Sequence, residues 1–475
     1  MTRNESNTPL SRRPPRRRAC RSSWALVCCL LMGSLEVADA QVNLPRLRVP
    51  QLPVDLPLDV NKTLNGVTNS LDVDKLADLR KLQVLQLIRT HRDVIEADPN
   101  GAPIVRNEVT AFAPTDAAIQ RARDAGFVVL REKILEGLDA KLVVLQAPSG
   151  MSTRAALSRL RKLDPEGAYD FNHIYTASGF VSHQGQTVVS GEPLRTRELH
   201  ASLVKVAATT AADESEAPRP AVRVGLIDGG VDVSHAVFRG ATVHQFGCGG
   251  APVPSTHGTA VASLIAGESA KFHGAQPRAI LYTADVYCAR PTGGAVDAVA
   301  DAFAWLARER VPTINVSLVG PPNVALQNVV RVITARGYIV VAAVGNDGPA
   351  APPLYPASYP DVVGVTGVDV KQRALIEAAR GKQVDFAAPG ADMAAASVDQ
   401  SYAAVRGTSF AAPIVAGLLA AQMREPDKSA ADRAIEQLAI SATDLGTRGV
   451  DKTYGNGLVG GTLRMEPALA KVREN

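Results

Sequence analysis

Residues 407–413 read GTSFAAP, and this stretch determines which fold the sequence predicts. The Gly-Thr pair before Ser409 permits a tight turn, and the apolar run IVAGLLA at residues 414–420 predicts that the serine begins a buried helix. Backbone N–H groups at a helix N-terminus can receive a developing negative charge. Because most serines are exposed or cap a helix, Ser409 indicates a nucleophile only if partner residues occur elsewhere.

Three upstream segments supply such partners. Residues 222–232 (VRVGLIDGGVD) predict a buried parallel strand ending at Asp228, and functional groups in open α/β sheets lie at such strand ends. Residues 256–267 (THGTAVASLIAG) predict an apolar helix that begins beside a histidine. Residues 339–348 (IVVAAVGNDG) predict a strand followed by Asn346, whose amide can donate to the oxyanion of a tetrahedral intermediate.

These four motifs resemble those of the subtilisin-like (subtilase) serine peptidases, and the resemblance covers roughly residues 216–470. The order aspartate, histidine, serine is the order found in subtilisin. The resemblance implies that Ser409 is the nucleophile and that His257 is the general base and acid. It also implies that Asp228 orients the imidazole and that Asn346 donates to the oxyanion.

Each of these residues has a simpler interpretation when it is taken alone. Asp228 could cap a strand end, His257 could cap a helix, and Asn346 could be a turn residue. A catalytically idle, peptide-binding relative is the main alternative function. An esterase is disfavoured because Ala411 replaces the second glycine of the Gly-x-Ser-x-Gly elbow. The chain also departs from the family pattern at Gly229, where a serine or threonine usually follows the catalytic aspartate.

The resemblance also implies a substrate cleft. Residues 314–320 (INVSLVG) resemble the strand that forms one cleft wall, to which a peptide can add by main-chain pairing. Leu354 matches a position near the floor of the primary specificity pocket, and packing in the core or a loop is its alternative role. The predicted substrate-binding residues are Ser317, Leu318, Val319, Gly320, Ala343, Gly345 and Leu354.

The first 40 residues carry seven arginines and three acidic residues, and this excess equals the net charge of +4 of the whole chain. The rest of the chain is neutral overall, so the high pI says nothing about nucleic acid, and no nucleic-acid partner is predicted. An apolar run at residues 24–35 followed by Ala-Asp-Ala at residues 38–40 predicts a secretory signal peptide. The run is too short for an ordinary membrane span, although an uncleaved anchor is the alternative. We expect an exported protein, periplasmic or extracellular, with no membrane span in the mature chain.

Three of the five cysteines lie in the predicted signal peptide, which leaves Cys248 and Cys288. An even pair in an exported protein predicts a disulfide, and two buried thiols are the alternative. The histidines other than His257 show no metal-ligand spacing, so no metal site is predicted. The expected reaction requires no cofactor. Calcium often stabilises this family, but no acidic cluster in the sequence identifies a calcium site.

Residues 104–177 predict the order strand, helix, strand, strand, helix, strand, which fits a ferredoxin-like α+β unit. This unit resembles the subtilase propeptide, which acts as a folding chaperone and inhibitor; a retained accessory domain without an inhibitory role is the alternative. The predicted organisation is a signal peptide at 1–40, a Pro/Leu-rich segment with a helix at 41–100, the propeptide-like domain at 101–180, a linker at 181–220 and the catalytic domain at 221–475.

In the catalytic part, apolar strands alternate with helices. The strands are predicted at residues 280–286, 313–318, 338–343 and 362–365, and the helices at 295–308 and 323–336. This alternation predicts an α/β fold with a doubly wound, mostly parallel sheet, preceded by the small ferredoxin-like α+β domain. The expected function is a secreted serine endopeptidase that acts on proteins or peptides and is inhibited by its own N-terminal domain.

Overall fold

The computed structural model describes residues 73–183, 186–189 and 221–471 of the 475-residue chain. The predicted signal peptide and most of the Pro/Leu-rich segment lie outside the described residues, as does most of the predicted linker. Among the described residues, no helix has the length and apolar character that crossing a bilayer requires.

The N-terminal part is an antiparallel sheet with helices on one face. Its elements are α1 (Val73–Thr90), β1 (Ile95–Ala97), β2 (Pro103–Phe112), α2 (Asp116–Asp124), β3 (Val128–Leu135), β4 (Ala140–Gln146), α3 (Thr153–Leu163) and β5 (Ala168–His173). The strand order β5-β2-β4-β3 confirms the predicted ferredoxin-like unit. Thr115 and Ser152 cap α2 and α3, as the sequence predicts. Strand β1, which pairs with the start of β2, was not predicted.

Three short strands follow this unit: β6 (Thr176–Ala177), β7 (Phe180–His183) and β8 (Gln186–Val189). Strands β7 and β8 form an antiparallel hairpin. The sequence analysis assigned residues 181–220 to a linker, so these strands are a correction for residues 181–183 and 186–189. They have no strong local pattern, and besides its pairing with β8, strand β7 also pairs with a strand far away in the sequence.

The catalytic part contains the strands β9 (Arg223–Asp228), β10 (Val243–Phe246), β11 (Ile280–Asp285), β12 (Thr313–Val316), β13 (Leu318–Val319), β14 (Ile339–Ala343), β15 (Val362–Val368), β16 (Phe386–Pro389), β17 (Met393–Ser397) and β18 (Ser401–Arg406). Its α-helices are α4 (Thr256–Ala266), α5 (Val296–Arg308), α6 (Val324–Ala335), α7 (Thr408–Ala420) and α8 (Lys428–Ser441). The predicted strands and helices correspond to β11, β12, β14, β15, α5 and α6.

Within the described residues, seven of these strands form one parallel sheet in the order β10-β11-β9-β12-β14-β15-β16. One buried cluster packs α4, α7 and α8 on one face of this sheet, and a second packs α5 and α6 on the other. This arrangement confirms the predicted doubly wound α/β fold. A separate four-stranded sheet has the order β17-β18-β7-β8, so the hairpin after the N-terminal domain pairs with the catalytic part.

The N-terminal domain contacts the catalytic part through α5 and α6. Leu135, Leu138 and Leu142 belong to the same buried cluster as these two helices. Beyond this contact the chain continues from β5 through β6 to β7, and this course carries it along the carboxyl ends of the parallel strands.

Candidate active site

The three predicted reacting side chains come from the ends of three separate elements. Asp228 is the last residue of β9, and His257 and Ser409 are the second residues of α4 and α7. The His257 Nδ1 atom lies 2.9 and 3.0 Å from the two carboxylate oxygens of Asp228. All three residues are buried. Because a carboxylate accepts, this pairing assigns the proton to Nδ1 and leaves Nε2 free to take another.

The hydroxyl of Ser409 is hydrogen-bonded to groups other than the imidazole in this structure. Its Oγ atom lies 2.9 Å from Ser178 Oγ and donates to Ser317 O at 3.4 Å. His257 Nε2 is buried and has no hydrogen-bond partner within the described part of the chain. The predicted nucleophile and the predicted base are therefore present in one site, and no hydrogen bond joins them.

The helix that carries His257 is capped by a residue that the sequence analysis did not identify. Ser255 Oγ accepts from Gly258 N at 3.0 Å and donates to Gly230 O at 3.2 Å. A Cβ atom added to Gly229 would lie 2.4 Å from this hydroxyl oxygen. Gly229, the residue after Asp228, thus leaves the room that the capping hydroxyl occupies, and Ser255 positions the first turn of α4.

Asn346 lies at the predicted oxyanion position. Its Nδ2 atom donates to the Ser178 carbonyl oxygen at 2.8 Å, and its Oδ1 atom accepts from Thr408 N at 3.0 Å. The bond from Thr408 fixes the amide orientation, because only the oxygen can accept from a backbone N–H. The Asn346 NH₂ group is consequently directed at a carbonyl that lies beside the nucleophile.

The chain's own residues 175–178 fill the cleft that the sequence analysis predicted. Strand β6 pairs antiparallel with β13, with Ala177 opposite Leu318 and Thr176 opposite Val319. On the other side, Tyr175 N donates to Gly294 O at 2.8 Å. An extended segment held between two walls is how a peptide substrate binds by strand addition.

Tyr175 is completely enclosed at one end of this segment. A Cβ atom on Gly320 would lie 2.7 Å from its ring, so the predicted binding residue Gly320 is small because an aromatic ring packs against it. The Tyr175 hydroxyl donates to Pro321 O at 2.5 Å, and burial raises the pKa of the phenol well above its ordinary value. The Tyr287 hydroxyl donates to Tyr175 O at 3.3 Å.

The sequence analysis missed Tyr175, Tyr287 and Gly294 as cleft residues. The one local indication is the Gly293-Gly294 pair between β11 and α5, where a glycine allows close approach of another backbone. A Cβ atom on Gly294 would lie 2.1 Å from Tyr175 O. The aromatic residues carry no such indication, since buried tyrosines are common in any core.

The other predicted binding residues lie around the nucleophile or beneath it. Ser317 Oγ donates to Ser409 O at 2.9 Å, and Gly345 N donates to Thr408 Oγ1 at 3.2 Å. A Cβ atom on Gly345 would lie 2.6 Å from a terminal methyl of Leu354, so Leu354 adjoins the loop that carries Asn346. The remaining residue, Ala343, is completely buried in the hydrophobic core.

The predicted cysteine pair lies next to one cleft wall. The sulfur atoms of Cys248 and Cys288 are 2.20 Å apart. The Asp285 carboxylate, at the end of β11, accepts from the backbone N–H groups of Tyr287, Cys288 and Val253. The pair therefore connects the segment after β10 to the segment that carries Tyr287.

Comparison with known proteins places this geometry in a family. The Subtilase family profile matches residues 219–457. Minor extracellular protease Epr from Bacillus subtilis is 30% identical over 208 residues, which are 43% of this chain and 32% of Epr. Subtilisin DY from Bacillus licheniformis is 30% identical over 246 residues, which are 50% of this chain and 88% of subtilisin DY. This chain thus spans about a third of one relative and most of the other.

Among solved structures, fervidolysin from Fervidobacterium pennivorans, a keratinolytic enzyme related to subtilisin, superposes with a TM-score of 0.57. The superposition covers 77% of this chain and 61% of fervidolysin at 17% sequence identity, so the similarity is one of fold. The profile match over half of the chain and the extent of the match to subtilisin DY establish the family. The chain belongs to the subtilase family of serine endopeptidases.

Proposed function

We propose that this chain is the exported precursor of an endopeptidase that hydrolyses peptide bonds in proteins and peptides through an acyl-enzyme. Asp228, His257 and Ser409 form its catalytic triad, and its first substrate is its own Ser178–Gly179 bond. One observation carries this proposal. The Ser178 carbonyl accepts from Asn346 Nδ2 at 2.8 Å beside the nucleophile, while the residues before it pair with both cleft walls.

The chemistry follows from the hydrogen-bond pattern. Rotation of Ser409 about its Cα–Cβ bond brings Oγ toward His257 Nε2, which takes the hydroxyl proton as Oγ attacks the Ser178 carbonyl carbon. Asn346 stabilises the negative charge on the former carbonyl oxygen. His257 then donates the proton to the leaving amine of Gly179, and Ser178 becomes an ester on Ser409. Water, deprotonated by His257, hydrolyses that ester, so the cycle needs no cofactor.

The size of the residue before the cut bond indicates the primary specificity. Ser178 is small, and Leu354 fills space beside Gly345, the residue before Asn346, whose amide binds the Ser178 carbonyl oxygen. We propose that the enzyme prefers small residues immediately before the scissile bond.

We further propose that the N-terminal domain remains bound after cleavage and inhibits the enzyme. Asp170 Oδ2 accepts from Val324 N, at the first residue of α6, where the helix dipole favours a negative charge. Arg131 binds Glu108 in its own domain at 2.5 Å and Asp297 of α5 at 3.0 Å. These contacts do not depend on the Ser178–Gly179 bond, so they persist when it is cut.

Export and cysteine pairing belong to the same proposal. A disulfide between Cys248 and Cys288 requires an oxidising compartment, which agrees with the predicted signal peptide and with the extracellular relative Epr. Among the described residues, the one cluster with metal-ligand spacing is Cys248, Asp285 and Cys288. A disulfide would make both cysteine sulfur atoms unavailable as metal ligands. A structural calcium ion stays a prediction without assigned ligands.

The test compares the wild-type chain with Ser409→Ala after expression with export. We expect the wild type to yield a fragment that begins at Gly179 and Ser409→Ala to remain uncut, with Ser441→Ala on the exposed end of α8 as the matched control. The alternative of an idle, peptide-binding relative has one supporting observation: His257 Nε2 has no hydrogen-bond partner among the residues that the structure describes. An uncut wild type without peptidase activity would establish that alternative.

A further inference from the structure

The strand that leads into the nucleophile binds the chain on the far side of the predicted cut. Strand β18 ends at Arg406, three residues before Ser409. Strand β7 pairs antiparallel with it, with Phe180 opposite Arg406 and Val181 opposite Val405. Since β17 pairs with the other edge of β18, strand β7 completes the hydrogen bonding of β18.

Gly179 is closely packed at the start of this strand. A Cβ atom on Gly179 would lie 2.7 Å from the ring of Phe410, the residue after the nucleophile. A Cβ atom on Gly407 would lie 2.8 Å from the Gly179 Cα atom. Gly407 leaves room for the backbone of Gly179, and Gly179 leaves room for the Phe410 ring, so the two segments can lie this close only with glycine at both positions.

Two further contacts hold the segment beyond Gly179. Val181 is only 1% exposed and belongs to the same buried cluster as Val405 and Phe410. Strand β8 pairs with β7 along its whole length and extends the sheet by one more strand. None of these contacts involves the Ser178–Gly179 bond, so cutting that bond removes none of them.

We propose that β18 is an interaction surface that retains Gly179 and strands β7 and β8 after processing, so that β7 and β8 close the primed half of the cleft. The primed half is the part that binds residues after the scissile bond, here the edge of β18 (Ser401–Arg406). A second cleavage beyond Val189 then releases the hairpin and opens this half to polypeptides. This inference rests on the proposed cut at Ser178–Gly179.

The retained hairpin predicts discrimination by substrate length. A tetrapeptide with a small chromogenic leaving group needs only the half that binds residues before the bond. A peptide that extends five residues beyond the bond must displace β7 from β18. The attached hairpin competes at a high effective concentration, so long substrates are disfavoured relative to short ones.

The first test measures the ratio of kcat/KM for the long substrate to that for the short one. It compares protein newly cut at Gly179 with the Val181→Asp variant. An unpaired carboxylate is costly to bury, so this substitution should detach β7 from the buried cluster. Bound N-terminal domain lowers both rates by the same factor, so the ratio is independent of it. We expect the ratio to rise by about 10-fold or more in Val181→Asp, on the scale of burying one valine. Val370→Asp, at a valine that is 61% exposed, is the matched control and should resemble wild type.

The second test uses wild-type sequence and does not depend on how Val181→Asp folds. Hydrogen exchange followed by mass spectrometry should show residues 179–183 protected in the cut protein as in uncut Ser409→Ala. The ratio in the wild type should rise when N-terminal sequencing detects the second cleavage.

Two results would overturn the inference while leaving the proposed function intact. The first is that residues 179–183 of the cut protein exchange hydrogen like an unstructured peptide. The second is that the long-to-short ratio of kcat/KM is equal in wild type and Val181→Asp. A wild-type chain never cut at Ser178–Gly179 would overturn both proposals, and N-terminal sequencing identifies that case before either assay.

Discussion

The two halves of the cleft hold the same continuous segment in different ways. The non-primed half, formed by Gly294, Leu318–Val319 and Asn346, holds residues 175–178 between two walls and ends where Asn346 binds the Ser178 carbonyl oxygen. The primed half holds β7 by pairing with one edge of β18, and β8 pairs with the other edge of β7. One half therefore aligns a carbonyl for attack, and the other provides a sheet in which the leaving segment can remain.

This difference assigns substrate recognition to the non-primed half and product release to the primed half. Catalysis needs close alignment only at the carbonyl that is attacked, because a small displacement there raises the activation free energy. The other side affects how fast the amine-bearing product leaves. The predictions below test whether the two halves can be changed separately.

The largest effect should come from the base that serves both halves. His257→Ala removes the group that activates Ser409 and protonates the leaving amine, so turnover should fall by about 10⁶-fold, a size measured on subtilisin itself. The measurement is the rate at which the fragment beginning at Gly179 appears, because an uncut variant keeps its own segment in both halves of the cleft. A His257→Ala chain that cuts itself as fast as the wild type would contradict the role of His257.

Loss of the cysteine pair should affect the non-primed half more than the primed half. Closing the 40-residue separation between Cys248 and Cys288 stabilises the fold by about 4 kcal/mol in the chain-entropy model. Reduction should lower the midpoint of thermal unfolding and raise KM for short substrates, because Tyr287 and Gly294 form one wall of that half. Thiol counting on denatured, unreduced protein checks the bond, and two free thiols would rule it out.

Asn346→Ala should impair only the hydrogen bond to the carbonyl oxygen before the scissile bond. The loss in kcat should be about 10²–10³-fold, the figure obtained for the corresponding asparagine of subtilisin. Self-cleavage should slow to a similar extent, which a time course of the fragment beginning at Gly179 would record. Unchanged KM for short substrates would show that the peptide still pairs with both walls.

Asp385, the residue before β16, tests global stability. Burial raises its pKa from 3.8 to about 6, and one hydrogen bond from Gly364 N partly offsets this rise because it stabilises the carboxylate. An acid with a raised pKa in the folded state destabilises the fold as pH rises from 3.8 through 6. Asp385→Asn should therefore raise the free energy of unfolding above pH 6 by up to about 3 kcal/mol and change it little below pH 4. Urea unfolding of uncut Ser409→Ala protein across pH measures this.

The smallest effect concerns primary specificity. Leu354→Gly removes the side chain beside Gly345, so larger aromatic residues should be accepted before the scissile bond, with a gain of about 10-fold relative to alanine. A substrate library varied at that single position is the measurement. A wild-type preference for phenylalanine or tyrosine there would contradict the proposed pocket.

Local patterns in the sequence predicted most of the elements. Apolar runs identified strands such as β9 and β14, and capping residues identified the start of helices such as α2. The candidate reacting residues could be predicted because each lies at the end of such an element, beside glycines and small residues. Strands β7 and β8 were missed because a four-residue strand has little periodicity and requires a partner to be stable.

The sequence by itself determined the fold class and the candidate reacting groups, since both depend on short segments whose residue types and order are distinctive. Only the tertiary structure decided which part of the chain fills the cleft. It also decided that Ser255 occupies the space beside Gly229 and that Thr408 orients Asn346. These features arise where segments far apart in sequence meet, and the sequence records such contacts only as an unexplained glycine or an unremarkable polar residue. The physical reason is that close packing and hydrogen-bond orientation depend on distances that local propensity does not specify.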